Sequence, residues 1–364
     1  MPVILYLLLL PFYMFRPPSP QSVFLDEIDD LRQQYHIPGM AVAVVKEQNV
    51  ILTEGLGVAD IEKGTAVNFQ TSFRIASITK PIASTVLLQL EMEGEICLDQ
   101  SIKSAYPEME ALFTRVKNHL TEKEPEWLFL VENYDIHRDD ITIRHHLTHT
   151  SEFEPGSRYQ YNGFLYGTLS RAMAQASEQS FPTLLYDRVF LPVNMKESLP
   201  AQGDPSRPEV IERLARPYRW DSVARRHILS PYPQQNVTAG AGIVSTIGDL
   251  ARFDIALDQG KLLPDSVLTK AWTANRTIDG KVTPYGLGWF VGEMDGEKIL
   301  WHTGWQPEAF SGLYLKFPER NMSLILLANS EGLSAPFQGQ GYGEDVMVSP
   351  FARAFARLTT ALHE

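Results

Sequence analysis

The amino-acid sequence predicts an α+β protein, with an antiparallel sheet flanked by helices and a second, mostly helical lobe. Two observations carry this expectation. Strand-like apolar segments lie near both ends of the 364-residue chain, at 40–52 and 298–327, and the patterning between them is mostly helical. Strands at both ends imply that the two ends of the chain meet in one antiparallel sheet, leaving the middle to form the second lobe. On this division the sheet lobe takes about 21–95 and 235–364, and the helical lobe about 96–234. A cleft between two such lobes is the natural place for a site.

Residues 3–15 are almost continuously apolar, Arg16 is the single charge before Asp26, and Pro17-Pro18-Ser19-Pro20 follows as an extended linker. As a helix this apolar run reaches only about 20 Å, short of the roughly 30 Å hydrocarbon core. Residues 1–20 therefore read as a signal peptide or membrane-associated segment, and the expected location is exported, periplasmic or membrane-associated. A helix follows at 23–35. Gly39 then opens a strand at 40–45, the polar turn 46–49 reverses the chain, and 50–52 returns, which is a hairpin signal. Ile82, Val86, Leu87 and Leu90 recur at helical spacing until Gly94 stops the run. The charge-rich stretch 101–140 contains a helical piece at 110–120 and reads as a surface elaboration of the helical lobe. Residues 200–233 hold six of the 24 prolines with little periodicity, which predicts a long ordered loop between the lobes. Strands are expected at 298–301, 310–317 and 322–327, with Pro318-Glu-Arg-Asn321 as the last turn. A terminal helix over 349–362 places Phe351, Phe355 and Leu358 on one face.

Composition narrows the function. A formal charge of −12 with no run of Lys or Arg argues against nucleic acid or an anionic membrane surface as partner. Cys97 is the single cysteine, so no intramolecular disulfide forms. His145, His146 and His149 crowd together, but no carboxylate or third spaced ligand accompanies them as zinc chemistry requires. The Gly-x-Gly patterns at 240–242 and 286–288 lack the strand, loop and helix frame of a nucleotide site. No Gly-x-Ser-x-Gly elbow occurs, which removes the α/β-hydrolase alternative.

Ser77-Ile78-Thr79-Lys80 is the only Ser-x-x-Lys in the chain, and it precedes the apolar helical stretch. Residues three apart on a helix share a face with β-carbons about 5–6 Å apart, so the Lys80 amine reaches the Ser77 hydroxyl. An amine kept partly neutral by desolvation can take the proton of a serine that is otherwise a poor nucleophile. Pro81 fits only near a helix beginning. The unpaired N–H groups of that helix start face any oxyanion formed at Ser77.

Three further segments extend this pair into a constellation. They are Ile141-Thr-Ile-Arg-His-His-Leu-Thr-His-Thr-Ser151, Pro155-Gly-Ser-Arg-Tyr-Gln-Tyr-Asn-Gly163 and Trp301-His-Thr-Gly-Trp305. With Ser77 and Lys80 they resemble, in order along the chain, the signatures of the serine β-lactamase and D,D-peptidase family, in particular its class C β-lactamase and esterase branch. The resemblance covers most of the chain and implies a β-lactamase/transpeptidase-like fold. It implies Tyr161 as a second catalytic base beside Lys80. The same resemblance implies that the backbone N–H of Trp305 pairs with that of Ser77 as oxyanion hole. His302, Thr303 and Gly304 then form a substrate-binding edge, on which His302 donates to a substrate carboxylate or supports the Tyr161 relay. No metal or cofactor is implied.

The sequence departs from the family pattern at four places: His146 stands where Leu is usual, His302 replaces the more familiar β-lactamase Lys, and two further departures bear on the pocket. Gly163 occupies the position of the motif Asn, which in the family hydrogen-bonds the substrate amide and helps orient the lysine, while Asn162 stands one residue early as its substitute. Only Glu152-Phe-Glu154 separates Ser151 from Pro155, so one wall of the usual pocket is shortened. The expected activity is hydrolysis of a small ester, a peptide or a β-lactam-like substrate through an acyl-enzyme. Two alternatives stand beside it: a penicillin-binding D,D-peptidase or β-lactamase, and a non-catalytic binding or scaffold protein on the same fold.

Overall fold

The computed structural model describes residues 17–233, 236–338 and 345–363. The apolar segment 3–15, with its expected role in export, lies outside the described residues. Among the described residues no helix is long and apolar enough to cross a membrane.

Eleven strands are present among the described residues: β1 (Gly39–Lys46), β2 (Asn49–Asp60), β3 (Thr65–Ala66), β4 (Phe73–Arg74), β5 (Tyr218–Asp221), β6 (Arg226–Leu229), β7 (Val244–Ser245), β8 (Phe290–Met294), β9 (Glu297–Gln306), β10 (Phe310–Phe317) and β11 (Met322–Ala328). Seven of them form one antiparallel sheet in the order β3-β2-β1-β11-β10-β9-β8. The two ends of the fold meet at its centre, where β1 pairs with β11 in the register Val42↔Leu326. β1 is buried along nearly its whole length, which is why 40–45 reads as a continuous apolar run rather than an alternation. Glu47 and Gln48 turn the β1–β2 hairpin, both with positive φ, as a two-residue type I′ loop demands.

The helices are α1 (Pro20–Gln34), α2 (Thr79–Met92), α3 (Ile102–Ala105), α4 (Met109–Lys123), α5 (Ile143–Leu147), α6 (Gly163–Gly167), α7 (Leu169–Ser177), α8 (Phe181–Leu185), α9 (Pro208–Glu212), α10 (Ile247–Asp258), α11 (Asp265–Ala271) and α12 (Pro350–Ala361). Successive β10 side chains show how the sheet is covered, since they point to opposite faces. Lys316 bonds Asp254 of α10 at 3.0 Å, whereas the Phe317 ring meets Phe355 of α12 at 5.6 Å. Helix α10 therefore covers one face, and α12, packed with α1, covers the other. The architecture is the α+β arrangement expected.

Two expectations need correction. Helix α2, assigned above to the sheet lobe, packs against α7, α8 and the turn at Tyr186–Phe190, so it belongs with the helical layer. The stretch 200–233 is not all loop: it contains α9 and the hairpin β5–β6. Trp220 of that hairpin stacks on His36 with centroids 3.9 Å apart, and the His227 ring donates to the His36 carbonyl at 2.8 Å. Its pairing is held by these tertiary contacts; on β5 Tyr218 and Trp220 alternate with Arg219 and Asp221, but the run is only four residues long.

Candidate active site

The nucleophile segment is gripped from both sides. Strand β4 pairs with β7, and the Ile75 N–H donates to Ile243 O at 3.1 Å. On the other side β9 comes so near that a β-carbon at Gly304 would lie 2.4 Å from Ile75 O, a contact only glycine permits. Ala76, held between them, takes a left-handed φ of 47°. That conformation costs an alanine about 1–2 kcal/mol and persists only where packing over-determines it. Ser77 follows in the one-turn helix Ala76–Ile78 that feeds into α2.

Lys80 lies on the first turn of α2 and is fully buried. Its ammonium nitrogen donates to Ser77 Oγ at 2.8 Å and to the Gly240 carbonyl at 2.9 Å. Neither partner is a carboxylate, and burial pushes the amine down from 10.5 to about 7. Gly163 sits directly against it, for a β-carbon there would be 3.9 Å from Nζ. Where the family motif offers an Asn side chain, this chain offers the Gly240 carbonyl. That carbonyl gets close because Gly240 lies against Gly163, with room for no β-carbon: one would stand 2.6 Å from Gly163 O.

Tyr161 packs its ring 4.9 Å from Lys80 Nζ and 4.4 Å from the His149 ring. Tyr166 and Tyr285 continue this buried aromatic group. His302 belongs to the same group and does not line the cavity, contrary to the expectation that it meets substrate. It is fully buried; its Nδ1–H donates to Thr303 O at 2.8 Å, and its Nε2 accepts from the Tyr285 hydroxyl at 3.0 Å. Burial first, and the Lys80 charge second, hold its basicity well below the usual 6.5, so it stays a neutral imidazole. His149 is kept neutral by the same two causes.

Asn162 is also corrected. Its Oδ1 caps α6 by accepting from Leu165 N at 3.0 Å, and its Nδ2 donates to Leu130 O at 2.9 Å and Glu152 Oε2 at 3.1 Å. Both ends of the amide are committed, and the side chain is buried outside the cavity. It therefore does not replace the missing motif Asn. The three neighbouring histidines diverge in role as well. His145 closes a capping box on α5, while His146 links the Tyr134 hydroxyl to α6 through Leu165 O and Thr168 Oγ1.

Ser77, Lys80, Tyr161, Thr303 and Trp305 border one cavity of about 540 Å³, with Gly163 and Gly240 at its base. Trp305 is oriented by its indole N–H, which donates to Glu331 Oε2 at 3.0 Å. The outer wall is apolar: Leu112 of α4, then Trp127, Phe129 and Leu130, and Phe164 of α6. The segment read from sequence as a surface elaboration thus forms a wall of the cavity, on a molecule whose 152–154 connection is short. The signal available was Trp127-Leu-Phe-Leu130, four apolar residues in charge-rich surroundings.

Comparison with known proteins places the fold. The beta-lactamase family model matches residues 24–344. A penicillin-binding protein of Bacillus subtilis is 22% identical over 321 residues, covering 83% of this chain and 70% of its own length. A D-aminopeptidase of Gluconobacter oxydans is 26% identical over 288 residues, 73% of this chain but only 51% of that protein. In three dimensions the chain resembles the octameric penicillin-binding protein homologue from Pyrococcus abyssi, with a TM-score of 0.72, 18% identity and coverage of 92% and 77%. It also resembles the D-amino acid amidase from Ochrobactrum anthropi, with a TM-score of 0.66, 19% identity and coverage of 94% and 98%. The family model covers most of the chain, the solved neighbours share its fold, and the protein belongs to the beta-lactamase family.

Proposed function

We propose that the protein is a serine hydrolase that cleaves an ester or amide through an acyl-enzyme. One observation carries the reading: a fully buried Lys80 amine, 2.8 Å from Ser77 Oγ and held near pKa 7 by burial without a carboxylate partner. Such an amine is about half free base at neutral pH and a competent proton acceptor. As Ser77 Oγ bonds to the substrate carbonyl carbon, its proton passes to Lys80 and the carbonyl oxygen becomes an oxyanion between the Ser77 and Trp305 N–H groups. Collapse breaks the bond to the leaving alcohol or amine, which takes its proton from Lys80 through Tyr161. Water then adds to the acyl carbon, giving its proton to the same pair, and the acid departs as Ser77 is restored. Thr303 borders the bound substrate, whereas Gly304, contrary to expectation, is turned to Ile75 and serves to bring β9 against the nucleophile segment. His302 supports the ring group behind Tyr161 as a neutral imidazole and carries no charge to a substrate carboxylate. This favours an ester or amide over a β-lactam.

The test is labelling with a fluorescent fluorophosphonate and a fluorescent penicillin beside Ser77→Ala, together with turnover of a nitrophenyl ester, a D-aminoacyl amide and a chromogenic cephalosporin. Ser77-dependent labelling with ester or amide turnover is expected. Absence of labelling and of all turnover would overturn the enzyme assignment in favour of a binding or scaffold role.

A further inference from the structure

We infer that the substrate is an amphiphilic acyl compound, whose apolar body lies on the wall formed by Leu112, Trp127, Phe129 and Phe164 and whose far end carries an anion received by Arg171. The inference rests on the hydrolase reading and names the substrate class. Its first support is size and character. A cavity of about 540 Å³ is of drug-ligand dimensions, far beyond what an acetyl group fills. Three aromatic rings in its wall gain nothing from a small polar substrate, whereas burial of apolar surface yields about 25 cal/mol per Å².

The second support is the helix floor. Gly163, Gly167 and Arg171 recur every four residues and all border the cavity. Thr168, which joins α6 to α7, keeps helical dihedrals (φ −65°, ψ −22°), so the three lie on one continuous face. Gly163 leaves a trough that starts at the Lys80 amine, since a β-carbon there would be 3.9 Å from Nζ, and at Gly167 the Thr238 side chain forms its side, with Oγ1 3.2 Å from where a β-carbon would stand. Eight residues at about 1.5 Å each place the Arg171 backbone about 12 Å along that trough.

The third support is charge. Among the described residues lining the cavity, Lys80 and Arg171 are the only ionisable cations, none is a carboxylate, and Lys80 is held near neutrality by burial. Arg171 is exposed, and its guanidinium makes no ion pair or hydrogen bond among the described residues. A permanent cation at the end of an apolar trough, on the order of 10 Å from the nucleophile, matches a carboxylate or similar anion at that distance from the scissile carbonyl.

The experiment compares p-nitrophenyl esters that share a leaving group: acetate, octanoate, the half-ester of octanedioic acid, and 8-aminooctanoate. Wild-type kcat/KM should rise from acetate to octanoate, rise again for the half-ester and fall for the aminooctanoate. Arg171→Gln should raise KM for the half-ester about 10-fold or more, the size of one charge-assisted contact, and leave octanoate unchanged. Arg171→Glu should invert the preference between the anionic and cationic esters. Trp127→Ala should lower kcat/KM for octanoate while sparing acetate. Equal wild-type rates for octanoate and half-ester, or an equal loss on every ester in Arg171→Gln at unchanged thermal stability, would overturn the inference. Ser77 labelling by fluorophosphonate is scored separately. Labelling without these preferences refutes the substrate class alone, and no labelling refutes the hydrolase reading itself.

Discussion

If burial without an anion is what makes Lys80 a base, supplying an anion should switch it off. Gly163 is the place to do so. Its backbone lies outside the left-handed region, a β-carbon there meets only Lys80 Nζ at 3.9 Å, and it is the first residue of α6, where an acidic side chain suits the helix dipole. Gly163→Asp places a carboxylate about 4 Å from the amine, worth about 4 kcal/mol at an effective dielectric of about 20. At 1.36 kcal/mol per unit this returns the lysine by about three units, from about 7 to about 10. The free-base fraction at pH 7 then falls from about one half to about one in a thousand, so kcat/KM drops on the order of 500-fold. Gly163→Asn is the control of equal size and restores the family motif. The assay is the pH dependence of fluorophosphonate labelling and of ester kcat/KM for all three proteins. Wild type and Gly163→Asn should rise through about pH 7 and level off, because the active form is the unprotonated amine. Gly163→Asp should rise about three units later, with recovered activity at high pH. Coincident profiles for the Asp and Asn variants, or a wild-type profile flat from pH 5 to 9, would refute the argument.

Other consequences can be measured directly. Ala76→Gly removes the left-handed strain and should raise stability by about 1 kcal/mol while slowing labelling of Ser77, read by thermal unfolding beside acylation rate. Lys316 is buried between Asp254 and Asp258 at 3.0 and 2.7 Å, so Lys316→Ala leaves the buried Asp254 carboxylate facing the half-buried Asp258 and should cost about 3–5 kcal/mol in denaturant unfolding. Folding depresses the basicity of His146 from 6.5 to about 4 by burial, so its stabilisation is complete above pH 6.5 and is lost as pH falls toward 4, an effect of about 3 kcal/mol. His146→Leu should flatten the stability profile over that window by one proton, yet be less stable at pH 8 by about 1–3 kcal/mol because the Tyr134 hydroxyl loses its partner. Gln48→Gly relieves a positive φ in the β1–β2 turn and should raise the unfolding midpoint, equivalent to about 1 kcal/mol.

The parts of this molecule legible in its sequence are those fixed by local spacing. The β1 run at 40–45 and the strands near 310–327 are apolar enough to specify burial without knowing their partners. Ser77 and Lys80 meet because a three-residue separation on a helix suffices. What was illegible depends on tertiary direction. Asn162 is one residue from the motif position, and in the structure its amide is spent on the α6 cap and on Leu130, a partner 32 residues away. Which way His302 points follows from the strand pairing of β9, and its loss of charge follows from the depth at which Tyr285 meets it. Trp127 to Leu130 lie in a short 3-10 segment with no periodicity to reveal which side they bury. The β5–β6 hairpin stands on a Trp220–His36 stack across 184 residues, which no local pattern announces.

These departures share one physical theme, the withdrawal of charge from around the reacting atoms. A lysine at position 302 would add a second ammonium near Lys80 and offer a substrate carboxylate a fixed cation close to the nucleophile. The histidine there is neutral, its ring nitrogens held by Tyr285 and Thr303. An Asn at 163 would reach Lys80, and the Gly240 carbonyl does so instead, adding no net charge. Lys80 can then lose its proton near pH 7 without a neighbouring cation to force it, because desolvation alone disfavours the ammonium. The permanent charge left on the cavity lining is Arg171, whose backbone lies about 12 Å along the helix floor. An anion fixed next to the scissile bond, as in a β-lactam, finds no partner at that range, since a Coulomb interaction across roughly 10 Å in wet surroundings is screened to well under 1 kcal/mol. An anion at the end of a long apolar body does find one, which is why the distance between charge and carbonyl, rather than charge itself, should sort the substrates of this site.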